Sequence, residues 1–186
     1  MAAPRLDSPA NPRVKAWARL REARERRAAG LFLAEGEHLA QEALRAGARV
    51  EALVVQHGRA FTWLRAPAGV EVVAASERVL KALCETPSPQ GIVAVCRLPP
   101  AGSPAPAPGR WLLLDGVQDP GNVGSLVRTA HAAGLDGVLL GEGCADAWSP
   151  RALRAAQGST VHVPVAAAGL VEWLAGAGPA GVQGLA

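Results

Sequence analysis

Apolar-rich runs and amphipathic stretches alternate along this chain. Leu31 to Ala34, Val50 to Val55, Val70 to Ala74 and Ile92 to Cys96 have the length and apolar content of strands, the last fully buried. Helical stretches separate them. Asn11 can cap a helix with Pro12 at its first position and Gly30 as its stop. In that helix Val14, Trp17 and Ala18 form a narrow apolar stripe, and Arg13, Arg19, Arg21, Arg24, Arg26 and Arg27 cover most of the remainder. Gly36 to Ala46 reads as a helix closed by Gly47. A further helix is predicted near Arg59 to Leu64, and a Ser76-capped one runs to Cys84. Strands alternating with helices at this spacing predict a compact α/β domain over residues 1–98.

Prolines at 99, 100, 104, 106 and 108 crowd a segment, 99–109, too densely for a helix or a central strand. It reads as an extended, fairly stiff linker. The alternation resumes over 110–186: strand 110–115, helix 121–133, strand 137–140, then a helix opening at Ser149-Pro150 and stopping at Gly158. A strand at Val161 to Val165, a helix from Leu170 to Leu174 and the start of a strand at Val182 to Leu185 complete the pattern.

The chemistry concentrates between Leu112 and Ala133. A buried strand (Leu112, Leu113, Leu114) leads into a polar, glycine-containing turn from Asp115 to Gly124, then into a helix with Leu126, Val127, Ala130 and Ala133 facing the core. Glycines at 121 and 124 are expected to let a backbone or an anionic ligand approach, and a helix N-terminus behind them offers unpaired N–H groups. Arg128, about one turn in, adds a fixed cation. The arrangement predicts a site for a phosphate-bearing substrate. It is not a Walker A loop, because Ser125 and Leu126 stand where Lys-Ser/Thr would be needed, and Gly121-Asn122-Val123-Gly124 lacks the dinucleotide spacing.

Composition narrows the class. The 186 residues are 49% hydrophobic, enough for a sizeable core. No apolar run approaches the roughly 20 residues of a membrane helix, and the N-terminus has no apolar leader. Cys84, Cys96 and Cys144 are widely spaced, which argues against a disulfide framework or a zinc site and for a reducing, cytoplasmic setting. The net charge of +3 is uneven: residues 1–30 hold eight Lys and Arg against three acids, and the remainder is slightly acidic. A basic N-terminus is the electrostatic footprint expected for nucleic acid. His131 and His162 have no neighbouring acid or nucleophile in sequence and read as structural.

Two long segments in the right order resemble the SpoU (TrmH) family of RNA ribose 2′-O-methyltransferases, of the SPOUT class. The first is Asp119-Pro120-Gly121-Asn122-Val123-Gly124 with Arg128-Thr129-Ala130. The second runs from Trp148 through Ser149-Pro150-Arg151-Ala152-Leu153-Arg154 to Ser159, followed by Val161-His162-Val163-Pro164-Val165. The N-terminal part is similar to the small substrate-binding domain of many such enzymes, in Asn11-Pro12, Val14-Lys15, the Arg-rich helix, Gly30-Leu31-Phe32, Glu35-Gly36-Glu37 and Pro89-Gln90-Gly91-Ile92.

The resemblance implies a ribosomal-protein-like α/β substrate-binding domain, followed by the first part of a parallel-sheet SPOUT (α/β knot) methyltransferase domain with the knot region missing. It implies methyl transfer from S-adenosylmethionine to a ribose 2′-hydroxyl of rRNA or tRNA. Arg128 matches the catalytic arginine, with Asn122 beside it. Lys15, Arg24 and Arg27 become candidates for RNA contact. Arg151 and Arg154 could touch RNA or a partner subunit, or be the solvent side of their helix. Glu35-Gly36 and Gln90-Gly91 could serve RNA or simply turn the chain. No metal is implied, and complete members work as homodimers. Family members continue beyond residue 186, where cofactor-binding residues are expected, so this chain reads as a fragment unable to methylate; the alternative is a catalytically inactive RNA-binding protein.

Overall fold

The computed structural model describes residues 4–100, 102 and 109–177. Two compact units divide the chain: Met1–Leu98 with Trp148–Pro150, and Pro99–Ala147 with Arg151–Ala186.

The first unit is built on a five-stranded mixed sheet. Its strands are β1 (Arg5–Leu6), β2 (Leu31–Glu35), β3 (Val50–Gln56), β4 (Glu71–Ala75) and β5 (Ile92–Arg97), in the order β1-β4-β3-β5-β2. β1, β4 and β3 run parallel, while β5 is antiparallel to both β3 and β2. The two-residue β1 has no signal in the hydrophobic pattern and exists only because β4 offers it an edge. One core gathers Val14, Trp17 and Leu20 with Leu33, Val54, Val73, Val93 and Val95, and with Val79, Leu80 and Leu83 of α4 (Glu77–Leu83). Ser76 caps α4 by accepting the Val79 N–H, as its sequence position predicts. The alternate β5 residues Ile92, Ala94 and Cys96 are also fully buried. Burial pushes the Cys96 thiol up to about 12, so it behaves as an inert apolar group. α3 (Glu37–Arg45) buries Leu39, Ala40 and Ala43.

The predicted single helix from Pro12 to Gly30 is broken. α1 (Pro12–Ala18) runs into a 3₁₀ turn at Arg19–Arg21. Glu22 is extended, and α2 (Ala23–Ala29) restarts the helix before Gly30 stops it in the left-handed conformation. The break is stabilised by a buried arginine: Arg26 Nη1 donates to the carbonyls of Leu20 at 2.8 Å and Arg21 at 2.6 Å. Arg21 in turn donates to the carbonyls of Ala82 and Cys84 at the end of α4. These arginines satisfy helix-end carbonyls that would otherwise be stranded. The helix predicted at Arg59 to Leu64 is also absent. Gly58 takes a left-handed φ of 77°, and the segment closes in turns, with the Trp63 indole N–H bonded to Glu37.

The second unit contains β6 (Trp111–Leu114), β7 (Gly137–Leu140) and β8 (Val165–Ala167), all parallel and in that order. The helices are α5 (Pro120–Ala132), α6 (Pro150–Ala156) and α7 (Leu170–Ala177), the last running past the predicted stop at Leu174. Val123, Val127 and Ala130 of α5 pack with Leu114, Val138, Leu140 and Val165. β8 starts later than the predicted Val161 to Val165. Ser159–Val161 forms a 3₁₀ turn, and the N–H groups of His162 and Val163 bond back to the Ser159 carbonyl. Pro164 has no N–H to give, so the ladder begins with its carbonyl, which accepts from Val138. The strand predicted at Val182 to Leu185 and most of the Pro-rich segment lie outside the described residues.

Candidate active site

Helix α5 begins at Pro120, earlier than the glycine pattern predicts, and this changes the meaning of both glycines. Asp119 is the N-cap; its Oδ1 accepts the Asn122 N–H at 3.0 Å, and its Oδ2 bonds Arg151 Nη2 at 2.8 Å. Gly121 lies in the first turn, where a Cβ would come 2.8 Å from Asp119 Oδ1 and 3.7 Å from Arg151 Nε. It clears space for that ion pair. Gly124 is buried against α6: a Cβ there would overlap the Ala152 carbonyl oxygen and stand 2.8 Å from Ala155 Cβ. Both glycines therefore serve packing within the protein.

Asn122 and Arg128 are both exposed on α5. Arg128 sits more than two turns from the helix start, not one. Helical geometry sets the two residues about 9 Å apart along the axis and about 120° apart around it. The residue one position beyond Arg128, Thr129, returns its hydroxyl to the Ser125 carbonyl at 3.0 Å. Arg151 opens α6 in the ion pair just described, and Arg154, half-buried, follows one turn on. Gln157 takes a left-handed φ of 50° and donates to the Arg154 carbonyl at 2.8 Å.

Sequence reasoning missed two groups here. His131 Nδ1 lies 3.2 Å from Ser159 Oγ, and its ring stacks on His162 with centroids 5.1 Å apart and planes 5° from parallel. No spacing rule brings these three together; only the return of the second segment to the end of α5 does. At the carboxyl ends of the strands, Cys144 donates to the Leu114 carbonyl and accepts from the Val117 N–H. The Ala145 N–H bonds Val117, and the Gly116 N–H bonds Glu142. The loops after β6 and β7 are thus joined at the edge where open parallel sheets bind ligands.

In the first unit, Lys15, Arg24 and Arg27 are exposed. Other cations of the basic segment are committed to the fold. Besides Arg21 and Arg26, Arg13 bonds Glu71 at 2.9 Å and lies 4.5 Å from the Trp17 ring centroid. The Arg13 hydrogen bond holds the Glu71 carboxyl below the ordinary range, against the opposing effect of partial burial. Among the described residues no helix is long and apolar enough to cross a membrane, and no three metal-ligating side chains cluster.

Residues 11–94 match the family model of the MRM3-like substrate binding domain, and residues 110–185 match that of the SpoU rRNA Methylase family. A crystal structure of an RNA 2′-O ribose methyltransferase superposes with a TM-score of 0.76 at 32% identity, covering 96% of this chain and 71% of that one. The chain belongs to the SpoU family. It is 44% identical over 161 residues to the 23S rRNA (guanosine(2553)-2′-O)-methyltransferase RlmP of Bacillus subtilis, spanning 86% of this chain and 63% of that protein. An AdoMet-bound rRNA methyltransferase from Sinorhizobium meliloti superposes with a TM-score of 0.78 at 28% identity, covering 94% of this chain and 69% of that one. The chain thus spans less than two thirds of the length of the curated relative from Bacillus subtilis. Its homologues and structural neighbours are RNA methyltransferases.

Proposed function

We propose that this chain grips RNA with its first unit and positions a ribose with its second, as part of an RNA methyltransferase acting on a ribose 2′-hydroxyl of rRNA or tRNA. The observation that carries this reading is the Asp119–Arg151 pair, which brings the two resembling segments together at the start of α5. Lys15, Arg24 and Arg27 bind phosphates of the RNA. Arg128 is the electrostatic clamp: free arginine gives up its proton only above about pH 12, so it steadies the phosphate and the developing alkoxide rather than acting as a simple base. Asn122 contributes a polar contact from the same helix. Arg154 and the outer part of Arg151 extend the cationic surface.

S-adenosylmethionine would supply the methyl group. The N–H groups of Gly116, Val117 and Ala145 at the strand ends are bonded within the chain, so these three donors are engaged by the protein itself. The second reading is an RNA-binding protein without methylation activity. A homodimer is the working assembly we propose. A cytoplasmic setting is the location we propose, in keeping with the wide spacing of Cys84, Cys96 and Cys144 along the chain.

The test is transfer of labelled methyl groups from S-adenosylmethionine to rRNA and tRNA, with RNA binding followed across a salt series. Phosphate-driven binding must weaken steeply as salt rises. Arg128→Ala is expected to reduce transfer by about 10²–10³-fold while the thermal melt stays unchanged. Salt-dependent RNA binding without transfer selects the second reading; near-normal transfer by Arg128→Ala removes Arg128 from the reaction.

A further inference from the structure

Glu35-Gly36-Glu37 and Pro89-Gln90-Gly91 meet in the first unit and shape a groove that the methylation reading does not use. Gln90 Oε1 accepts the Glu37 N–H at 2.8 Å, and a Cβ on Gly36, whose φ is 91°, would stand 2.6 Å from that oxygen. Gly91, with φ 81°, makes the same allowance for Arg59: a Cβ there would stand 2.6 Å from Arg59 Cδ. Two left-handed glycines thus let Gln90 and Arg59 lie across bare backbone. Between them opens a groove of about 450 Å³ lined by Glu37, His38, Gln41, Arg59 and Gln90. That volume lies within the range of small-ligand pockets, about 300–1,000 Å³.

Every lining side chain is polar, so the groove suits a polar, edge-reading ligand rather than an aliphatic one. Beside it runs the loop that the sequence misread as a helix, carrying Arg59, Phe61, Trp63 and Arg65. The Arg59 guanidinium stands 5.2 Å over the Phe61 ring, Phe61 meets Trp63 edge-on at 5.9 Å, and the Trp63 indole N–H bonds the Glu37 carboxylate. Alternating basic and aromatic side chains are what an unpaired nucleotide stacks on, and base edges are open to protein only where RNA is single-stranded.

We propose that this groove holds one unpaired nucleotide of the RNA, stacked at the Arg59–Phe61 platform and read as guanine. The Glu37 carboxylate can only accept, and guanine alone presents it with two adjacent N–H donors, N1 and N2. Arg59 serves the stack through its guanidinium face, and the Gln90 amide, whose oxygen is engaged with Glu37, has its NH₂ left to donate to guanine O6. The proposal rests on the RNA-binding reading above and adds to it a site and a base preference.

Fluorescence anisotropy with the short RNAs AAGAA and AAAAA tests it, with a structured rRNA fragment measured in parallel. The guanine oligomer is expected to bind at least about five-fold more tightly, the discrimination of one good bidentate contact. Glu37→Gln should abolish that preference with the thermal melt unchanged. Phe61→Ala should weaken both oligomers alike, and Phe61→Trp should restore them. Lys15→Ala with Arg24→Ala should weaken all RNAs without altering the ratio. Equal binding of the two oligomers, a preference that survives Glu37→Gln, or indifference to Phe61→Ala overturns the pocket while binding of the rRNA fragment leaves the wider reading standing. Loss of binding to every RNA overturns both.

Discussion

Asp119 uses its two carboxylate oxygens on two different helices: one caps α5 through the Asn122 N–H at 3.0 Å, and the other holds Arg151, in the first turn of α6, at 2.8 Å. A single side chain therefore sets the start of one helix and the register of the next. The two contributions separate on mutation. Asp119→Ala loses the cap together with the ion pair and should cost about 1 kcal/mol or more. Arg151→Ala removes only a pair that is 62% and 38% exposed, and should cost less than about 1 kcal/mol. Urea unfolding of the two variants measures the difference, and equal losses would show that the ion pair, not the cap, dominates.

Gly124 is the point of closest approach between α5 and α6. Its replacement by alanine would push a methyl group into the Ala152 carbonyl, an atom of helix backbone that cannot swing aside. Gly124→Ala is expected to destabilise the protein by about 1–3 kcal/mol or more. Gly30→Ala meets nothing within 4 Å and suffers only from its left-handed φ of 66°, so it should cost less, about 1 kcal/mol. Thermal melts of both variants compare crowding with backbone strain.

The arginines of the basic segment divide by burial. Arg26 is 2% exposed and binds two carbonyls at the break between α1 and α2, so Arg26→Ala leaves buried acceptors unpaired and should cost about 1–3 kcal/mol. Arg24→Ala with Arg27→Ala should change stability by less than about 0.5 kcal/mol. The same pair should weaken RNA binding and lower the slope of log affinity against log salt by about 2. The opposite assignment, with Arg26→Ala folding normally, would mean the break holds without it.

Glu71 gives the fold a pH signature. Arg13 lowers its proton affinity in the folded state, so the pair's stabilisation is complete above the ordinary carboxyl value of 4.5 and is lost as pH falls through the lower, folded value. Because both partners are more than a third exposed, the gain is below about 1 kcal/mol. Glu71→Gln should therefore melt slightly earlier than the parent at pH 7, and the two curves should converge in strong acid. Arg13→Ala should lose more, since it also uncovers the Trp17 ring.

Signals that act within one helical turn or one strand were legible from the order of residues. The Ser76 cap, the Gly30 stop, Pro150 at the first position of α6 and the apolar runs of β2 to β7 depend on neighbours a few positions away, and each identifies its element. So did the two resembling segments, because their residues are contiguous. Contacts between distant segments were not legible. Which of six similar arginines would be buried depended on carbonyls freed by a break at Glu22. The role of Gly124 depended on a helix that arrives later in the chain, and the meeting of His131, Ser159 and His162 on a turn that Pro164 ends. The groove at Glu37 and Gln90 joins segments 53 residues apart. Sequence alone determined the α/β alternation and the family, since caps, periodicity and contiguous motifs are local. Tertiary structure decided which polar side chains are structural and which remain exposed, because desolvation is set by whatever packs against a group rather than by its neighbours along the chain.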